Sequence, residues 1–289
     1  METRSGRWPR AAGYASVAAG ALMWSTGGVF VKVLAGRYGA DPRAIACLRS
    51  AFGGVVLAWA LPRLRGGSPV RLGASAGCFT VVVAGFVLST AGTTAANAVF
   101  LQYAYPLFVA VGAVVLLGER LGWRTVAALA LGMAGVGTIL VGSWEPGHRG
   151  GLAWGLGSSV AFAGFALLQR AMPRGSPVAR SSLYNLAAGA LLLPVAWGRL
   201  GLSAEALGVV ALQGVFQLAI PYVLVIYGLT RIRATDAALI TLIEPALNPV
   251  WVWLVVGEAA SGSTVLGGAL VLVALTVRFL GARRAPPTR

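Results

Sequence analysis

Residues 95–121 read AANAVFLQYAYPLFVAVGAVVLLGERL, and residues 234–260 read ATDAALITLIEPALNPVWVWLVVGEAA. A shift of 139 positions (234 minus 95) lays one on the other. Pro106 then meets Pro245, Gly118 meets Gly257, Glu119 meets Glu258, and Asn97 meets Asp236. Carried on to position 131, the alignment holds ten identities without a gap, at 95, 98, 106, 111, 118, 119, 125, 126, 130 and 131. A composition this biased gives roughly four by chance in such a window. The chain is read as two copies of one unit, and what surrounds these stretches says what the unit is.

The surroundings are apolar. Hydrophobic residues make up 57% of the 289-residue chain, charged residues 11%, and mean hydropathy is +0.80. A soluble domain averages about 25% charged residues, so a soluble fold could not cover its surface. Forty glycines fit membrane helices, where small residues let backbones approach closely. Ten runs suit a span of about 20 residues. They lie near 13–34, 43–61, 71–91, 95–116, 124–142, 151–170, 179–197, 206–229, 234–256 and 262–281. Arg4, Arg7 and Arg10 precede a run long enough to be an uncleaved first span rather than a removable signal.

Charge sets the direction. With the N-terminus inside, seventeen basic residues fall on inner segments. Examples are Arg63, Arg65 and Arg71, then Arg170, Arg174 and Arg180, then Arg231 and Arg233. Four fall on outer loops: Arg37, Arg43, Arg149 and Arg199. The positive-inside rule therefore places both termini in the cytoplasm. It also accounts for the net charge of +15 and the pI near 11.4 without a nucleic-acid partner. A bias of 22 arginines to the single Lys32 suits a GC-rich bacterial genome, and the plasma (inner) membrane is the expected location. Cys47 and Cys78 form no CxxC or Cys/His cluster, so no metal site or disulfide framework is implied.

The expected fold is an all-α integral membrane protein of ten transmembrane helices. Residues 1–12 form a cytoplasmic tail, 13–142 a first five-helix repeat and 143–150 a linker loop carrying the only histidine, His148. Residues 151–281 form a second repeat and 282–289 a second cytoplasmic tail. Five is odd, so the second copy enters the membrane from the opposite side, and the repeats are inverted, as in many secondary transporters.

The same stretches resemble a known family. QYAYPLFVAVGAVVLLGERL (102–121), LIEPALNPVWVWLVVGE (242–258), WSTGGVFVK (24–32) and LRSAFGG (48–54) look like the drug/metabolite transporter superfamily, and within it the EamA-type ten-span transporters. The resemblance covers both halves. It rests most on a proline separated by eleven residues from a Gly-Glu pair, kept at the ends of spans four and nine. It implies a carrier of small metabolites or drugs working by alternating access, with export slightly favoured. The second-half counterpart of Arg49 falls roughly at Tyr184, so that arginine has no basic twin.

Ionisable groups within a span are expensive and are treated first as functional. Glu244 lies near the middle of span nine, just before Pro245, where the helix loses a backbone donor. Its carboxyl is a candidate for binding an amine substrate or for proton coupling, against a structural role bonded to a neighbouring helix. Arg49, within span two, is a candidate for a substrate carboxylate, for pairing with Glu244, for snorkelling outward, or for holding helix carbonyls. Lys32 lies nearer its span end, where snorkelling is the simpler reading. Glu119 and Glu258 end spans four and nine on opposite faces and read as hinge or structural anchors. Pro106 and Pro245 are the candidate bending points.

Neutral polar groups complete the candidate substrate site. They are Trp24 and Thr26 on span one, Gln102 and Tyr105 on span four, Gln213 and Gln217 on span eight, and Asn248 one turn after Glu244. Three- and four-residue spacings put Gln102 with Tyr105, Gln213 with Gln217, and Glu244 with Asn248 on one helix face each. Interhelical hydrogen bonding is the competing reading for each residue singly. Glycine stripes at Gly132 and Gly135 and at Gly267 and Gly268 leave packing within the monomer and a homodimer face both open. No P-loop is present to make ATP the direct fuel, no HExxH motif suggests a metalloprotease, and His148 lies in an outer loop. The expected activity is secondary transport of a small solute across the bilayer, with no catalytic residues and no cofactor. A lipid-flipping or scaffold subunit is the alternative, ahead of a membrane-embedded enzyme.

Overall fold

In the computed structural model, residues 4–117, 122–170, 172, 175–232 and 234–282 are described. Every regular element among them is helical. The first half holds α1 (Arg4–Ser25), α2 (Gly27–Arg37), α3 (Pro42–Val56), α4 (Pro69–Gly92), α5 (Ala95–Tyr103), α6 (Tyr105–Leu117) and α7 (Trp123–Gly142). The second holds α8 (Arg149–Arg170), α9 (Pro177–Ala196), α10 (Ala204–Leu212), α11 (Ile220–Leu229), α12 (Ala234–Thr241), α13 (Ile243–Val256) and α14 (Gly262–Ala282). A 3-10 turn, Ala58–Arg63, follows α3, and a π-helical segment, Gln213–Ala219, joins α10 to α11.

Seven helical stretches are long and apolar enough to cross a membrane: Arg10–Arg37, Pro69–Gly92, Ala95–Gly112, Arg149–Gln169, Pro177–Ala196, Ala204–Leu229 and Leu239–Val256. The other three apolar runs carry α3, of 15 residues, and the shorter apolar stretches Val126–Gly142 and Gly262–Val277. Helix starts follow local chemistry. Asp41, Ser68, Thr94, Ser176 and Ser203 each accept a backbone N–H of the first turn, and proline follows directly in three of them. Gly257 ends α13 in the left-handed region, at φ 76°, where a side chain would be strained.

Four of the runs are not uniform helices. α5 and α6 break at Ala104, and α12 and α13 break at Leu242, each just upstream of a proline. Pro106 and Pro245 lack the N–H that an α-helix would offer to the carbonyls of Gln102 and Thr241. Side-chain hydroxyls from the other half reach both carbonyls. Ser159 Oγ lies 3.4 Å from Gln102 O, and the Tyr103 hydroxyl lies 3.1 Å from Thr241 O. Those two carbonyls are equivalent under the 139-residue shift. Between α1 and α2, the hydroxyls of Ser25 and Thr26 bond to Leu22 O and Met23 O and compete with the helix ladder. The π segment ends against Pro221, whose missing N–H loosens the register there.

Packing follows the internal repeat. The chief partners are α4 with α8, α1 with α11, α3 with α9, and α7 with α14. Next come α4 with α9 and α3 with the π segment. Exchanging first-half helices for their second-half equivalents turns α4–α8 into α11–α1 and α4–α9 into the π segment with α3, and leaves α3–α9 and α7–α14 unchanged. That is the pairing a two-fold relation between the halves leaves invariant. The four chief pairs run antiparallel, as Gly85 beside Ser158 and Gly92 beside Gly151 fix for α4 and α8.

Gly135 of α7 and Gly267 of α14 face each other within the chain, whereas Gly132 lies on Leu107 of α6 and Gly268 on Phe100 of α5. A Cβ at Gly135 would lie 2.6 Å from Gly267 O, whereas one at Gly137 meets nothing within 4 Å. Gly135→Leu should therefore lower the thermal aggregation midpoint of the detergent-solubilised protein by several degrees, reflecting ~1–3 kcal/mol of overpacking. Gly137→Leu should leave it unchanged. Equal behaviour of the two variants would refute this packing.

Candidate functional site

A cavity of about 330 Å³ lies between the halves, with walls from both. Arg49 enters it from α3. The side chain is 2% exposed, and its guanidinium donates to Val83 O at 3.2 Å and to Gln217 Oε1 at 3.4 Å. It sits 5.6 Å from the centre of the Phe86 ring. Its Nε has no hydrogen-bond partner. Glu244 enters from the first turn of α13, directly after the helix break. Its Oε2 accepts the Tyr103 hydroxyl at 2.6 Å.

Among the described residues these are the only charged groups lining the cavity, and they are not paired. Among the described residues, neither Arg49 nor Glu244 makes an ion pair with the other or with a third group. A guanidinium with open donor capacity and a carboxylate therefore face one chamber. Removing both from water is costly unless something completes them. The rest of the wall is amide and aromatic. Gln217 also donates to Trp24 O at 3.5 Å, and Gln102 donates to Ser158 Oγ at 2.9 Å. Trp24 meets Tyr222 edge-on at 5.4 Å, and Tyr105 stacks on Phe162 at 4.0 Å. Flat aromatic faces beside a few convergent polar groups are the usual make-up of a small-molecule site.

Trp24, Arg49, Gln102, Tyr105, Gln217 and Glu244 thus meet around one space. Thr26, Gln213 and Asn248 do not line it. Thr26 bonds to Met23 O at the α1–α2 break. Gln213 and Asn248 are fully buried beyond the cavity, and neither amide has a hydrogen-bond partner. Asn248 presses on Gly28, where a Cβ would lie 2.6 Å from its Oδ1. Pro106 and Pro245 follow the two helix breaks. Glu258 accepts the Ala95 N–H at 2.8 Å and pairs with Lys32 at 2.5 Å, so Lys32 is held rather than snorkelling. Glu119 lies outside the described residues.

The sequence did not single out Phe79, Phe86 and Phe162 as lining residues. Phenylalanine carries no polar signal within an apolar helix, and only the packing of α4 on α8 turns these rings toward Arg49 and Tyr105.

Comparison with known proteins bears on the whole chain. The EamA-like transporter family matches it twice, over residues 11–141 and 149–280, once for each half. An uncharacterized transporter of Archaeoglobus fulgidus is 31% identical over 272 residues, covering 92% of this chain and 96% of its own. The uncharacterized transporter YwfM of Bacillus subtilis is 31% identical over 132 residues, 44% of each chain. One solved structure, described only as the crystal structure of a protein, covers 96% of this chain and 99% of its own at 21% identity and a TM-score of 0.66, a likeness of fold. With the apolar helices and the doubled match in hand, the chain is a multi-pass membrane transporter and belongs to the EamA-like transporter family.

Proposed function

We propose that the protein is a secondary carrier of a small organic solute, with ten spans in two inverted five-helix halves and both termini cytoplasmic. The observation that carries this reading is the pair of unpaired charges, Arg49 and Glu244, contributed by different halves to one aromatic-walled cavity. Arg49 receives an anionic group of the solute. Glu244, at the α12–α13 break, receives either an amine of the solute or a coupling proton. The breaks beside Pro106 and Pro245 are the bending points, and export is the favoured direction.

A scaffold has no need of a charged chamber. A panel of metabolites and drugs against the purified protein should give stabilisation by at least one solute in thermal shift. The same solute should then show counterflow in proteoliposomes. A protein stabilised by none and exchanging none is a scaffold, and counterflow confined to labelled lipid makes it a lipid flippase instead.

A further inference from the structure

We propose that Glu258 is the latch closing the end of the path opposite the arginine-rich face, and that the structure is the state open toward that face. This deepens the alternating-access reading and rests on it.

The extent of the cavity is the first observation. At the arginine-rich end it runs out to Leu229, the last residue of α11, and to Ala237 in the first turn of α12. At the other end it stops at Phe86 and Arg49, well inside α4 and α3. Beyond that point the two halves are shut against each other. Trp251 of α13 donates to Ser25 Oγ at 2.9 Å, and Asn248 lies on Gly28 of α2 with no room for a Cβ.

The buried amides are the second observation. Gln213 and Asn248 are 0% exposed, and none of their four side-chain polar atoms has a hydrogen-bond partner. Native structures rarely leave such groups unpaired without a reason. Each lies one turn beyond a cavity residue, Gln217 and Glu244 respectively, toward the closed end. Polar groups that line a path and bond to the solute or water when it opens have this arrangement while it is shut.

The third observation is what holds the closed end. Gly257 adopts its left-handed turn at the end of α13, and Glu258 follows directly. One of its oxygens takes the N–H of Ala95 at the start of α5, at 2.8 Å. The other meets Lys32 of α2 at 2.5 Å, and Lys32 donates to Thr93 O at 2.7 Å. A single carboxylate of the second half thus gathers α2 and the α4–α5 turn of the first. Both side chains are mostly buried, 15% and 23% exposed, so removing either one leaves the other poorly compensated and loosens the closed end. Arg199 with Asp41, at 3.1 Å and more exposed, adds a second tie between the halves at the same end.

The test reads accessibility and needs no solute. Val82→Cys, deep in the cavity, is placed in a chain with Cys47 and Cys78 replaced by alanine. It is labelled with a membrane-impermeant maleimide in inside-out and in right-side-out vesicles. Labelling should be fast from the arginine-rich face and at least tenfold slower from the other. Glu258→Gln and Lys32→Met should each speed labelling from the closed side by about tenfold. The double variant should go no further, because both break one contact. If Glu258→Gln is not recovered in the membrane, Lys32→Met carries the test alone. One-sided labelling that ignores both substitutions overturns the latch and leaves the carrier reading intact. Faster labelling of the unsubstituted latch from the opposite side overturns the assigned state. A cysteine reached from neither side overturns the open chamber and the carrier reading with it.

Discussion

Glu244→Gln is expected to abolish solute accumulation driven by a pH gradient while counterflow of the same solute continues. Proton-driven flux should fall at least ~10-fold, to the rate of downhill leak, with membrane insertion and thermal midpoint unchanged. The expectation comes from counting protons at the helix break. The Tyr103 phenol has one proton and two acceptors in reach, Glu244 Oε2 at 2.6 Å and Thr241 O at 3.1 Å. A protonated Glu244 can donate to the phenol oxygen and leave the phenol proton for Thr241. An ionised Glu244 takes the phenol proton itself. A proton on Glu244 therefore changes a bond that ties α5 of one half to the break in α12–α13 of the other, which is what coupling a proton to a movement between halves requires. Glutamine keeps the shape and can still accept from Tyr103, but it cannot carry the proton. Tyr103→Phe should weaken coupling without ending exchange. Coupled flux that survives in Glu244→Gln would make the carboxyl a structural group.

The sequence made the architecture legible because its signals there are strong and local. Apolar runs of span length, arginines alternating from end to end, and the shared Pro-to-Gly-Glu spacing each follow from lipid or backbone chemistry at known positions. The breaks were half legible. Pro106 and Pro245 announced theirs, whereas the break at Thr26 and the π segment at Gln213–Ala219 depend on hydroxyls and on register, and apolar periodicity does not record those.

The site divided in the same manner. Arg49 and Glu244 stood out because charge within a span is rare. Asn248 and Gln213 share helix faces with Glu244 and Gln217, and periodicity placed them in the site. One turn of helix separates cavity from closed end, and periodicity resolves the face but not the depth. Lys32 read as a snorkelling residue because its partner, Glu258, is 226 positions away (258 minus 32) and enters only through the packing of the halves.

Arg49→Leu should abolish stabilisation by the solute and cut its flux ~100-fold, whereas Arg49→Lys should lose about tenfold. A hydrogen bond to a charged group contributes ~1.5–3 kcal/mol, and 1.4 kcal/mol is tenfold in binding. Losing the charge and both ends of the guanidinium fork therefore reaches the larger figure. Lysine keeps the charge on a compact ammonium without the planar fork, and so loses part of it. A purely structural Arg49 makes the opposite forecast. Its bonds to Val83 O and Gln217 would then hold α3 against α4 and the π segment, and their loss would lower the thermal midpoint while recovered protein bound normally. The geometry favours the solute role, because both bonds are long and Nε has no partner. A buried cation so loosely held is a burden on the empty protein, since taking a charge out of water costs several kcal/mol that only well-placed partners repay. Arg49→Leu should accordingly match or exceed the unaltered protein in thermal midpoint while losing the solute. An arginine kept at the expense of stability is one whose partner arrives with the cargo.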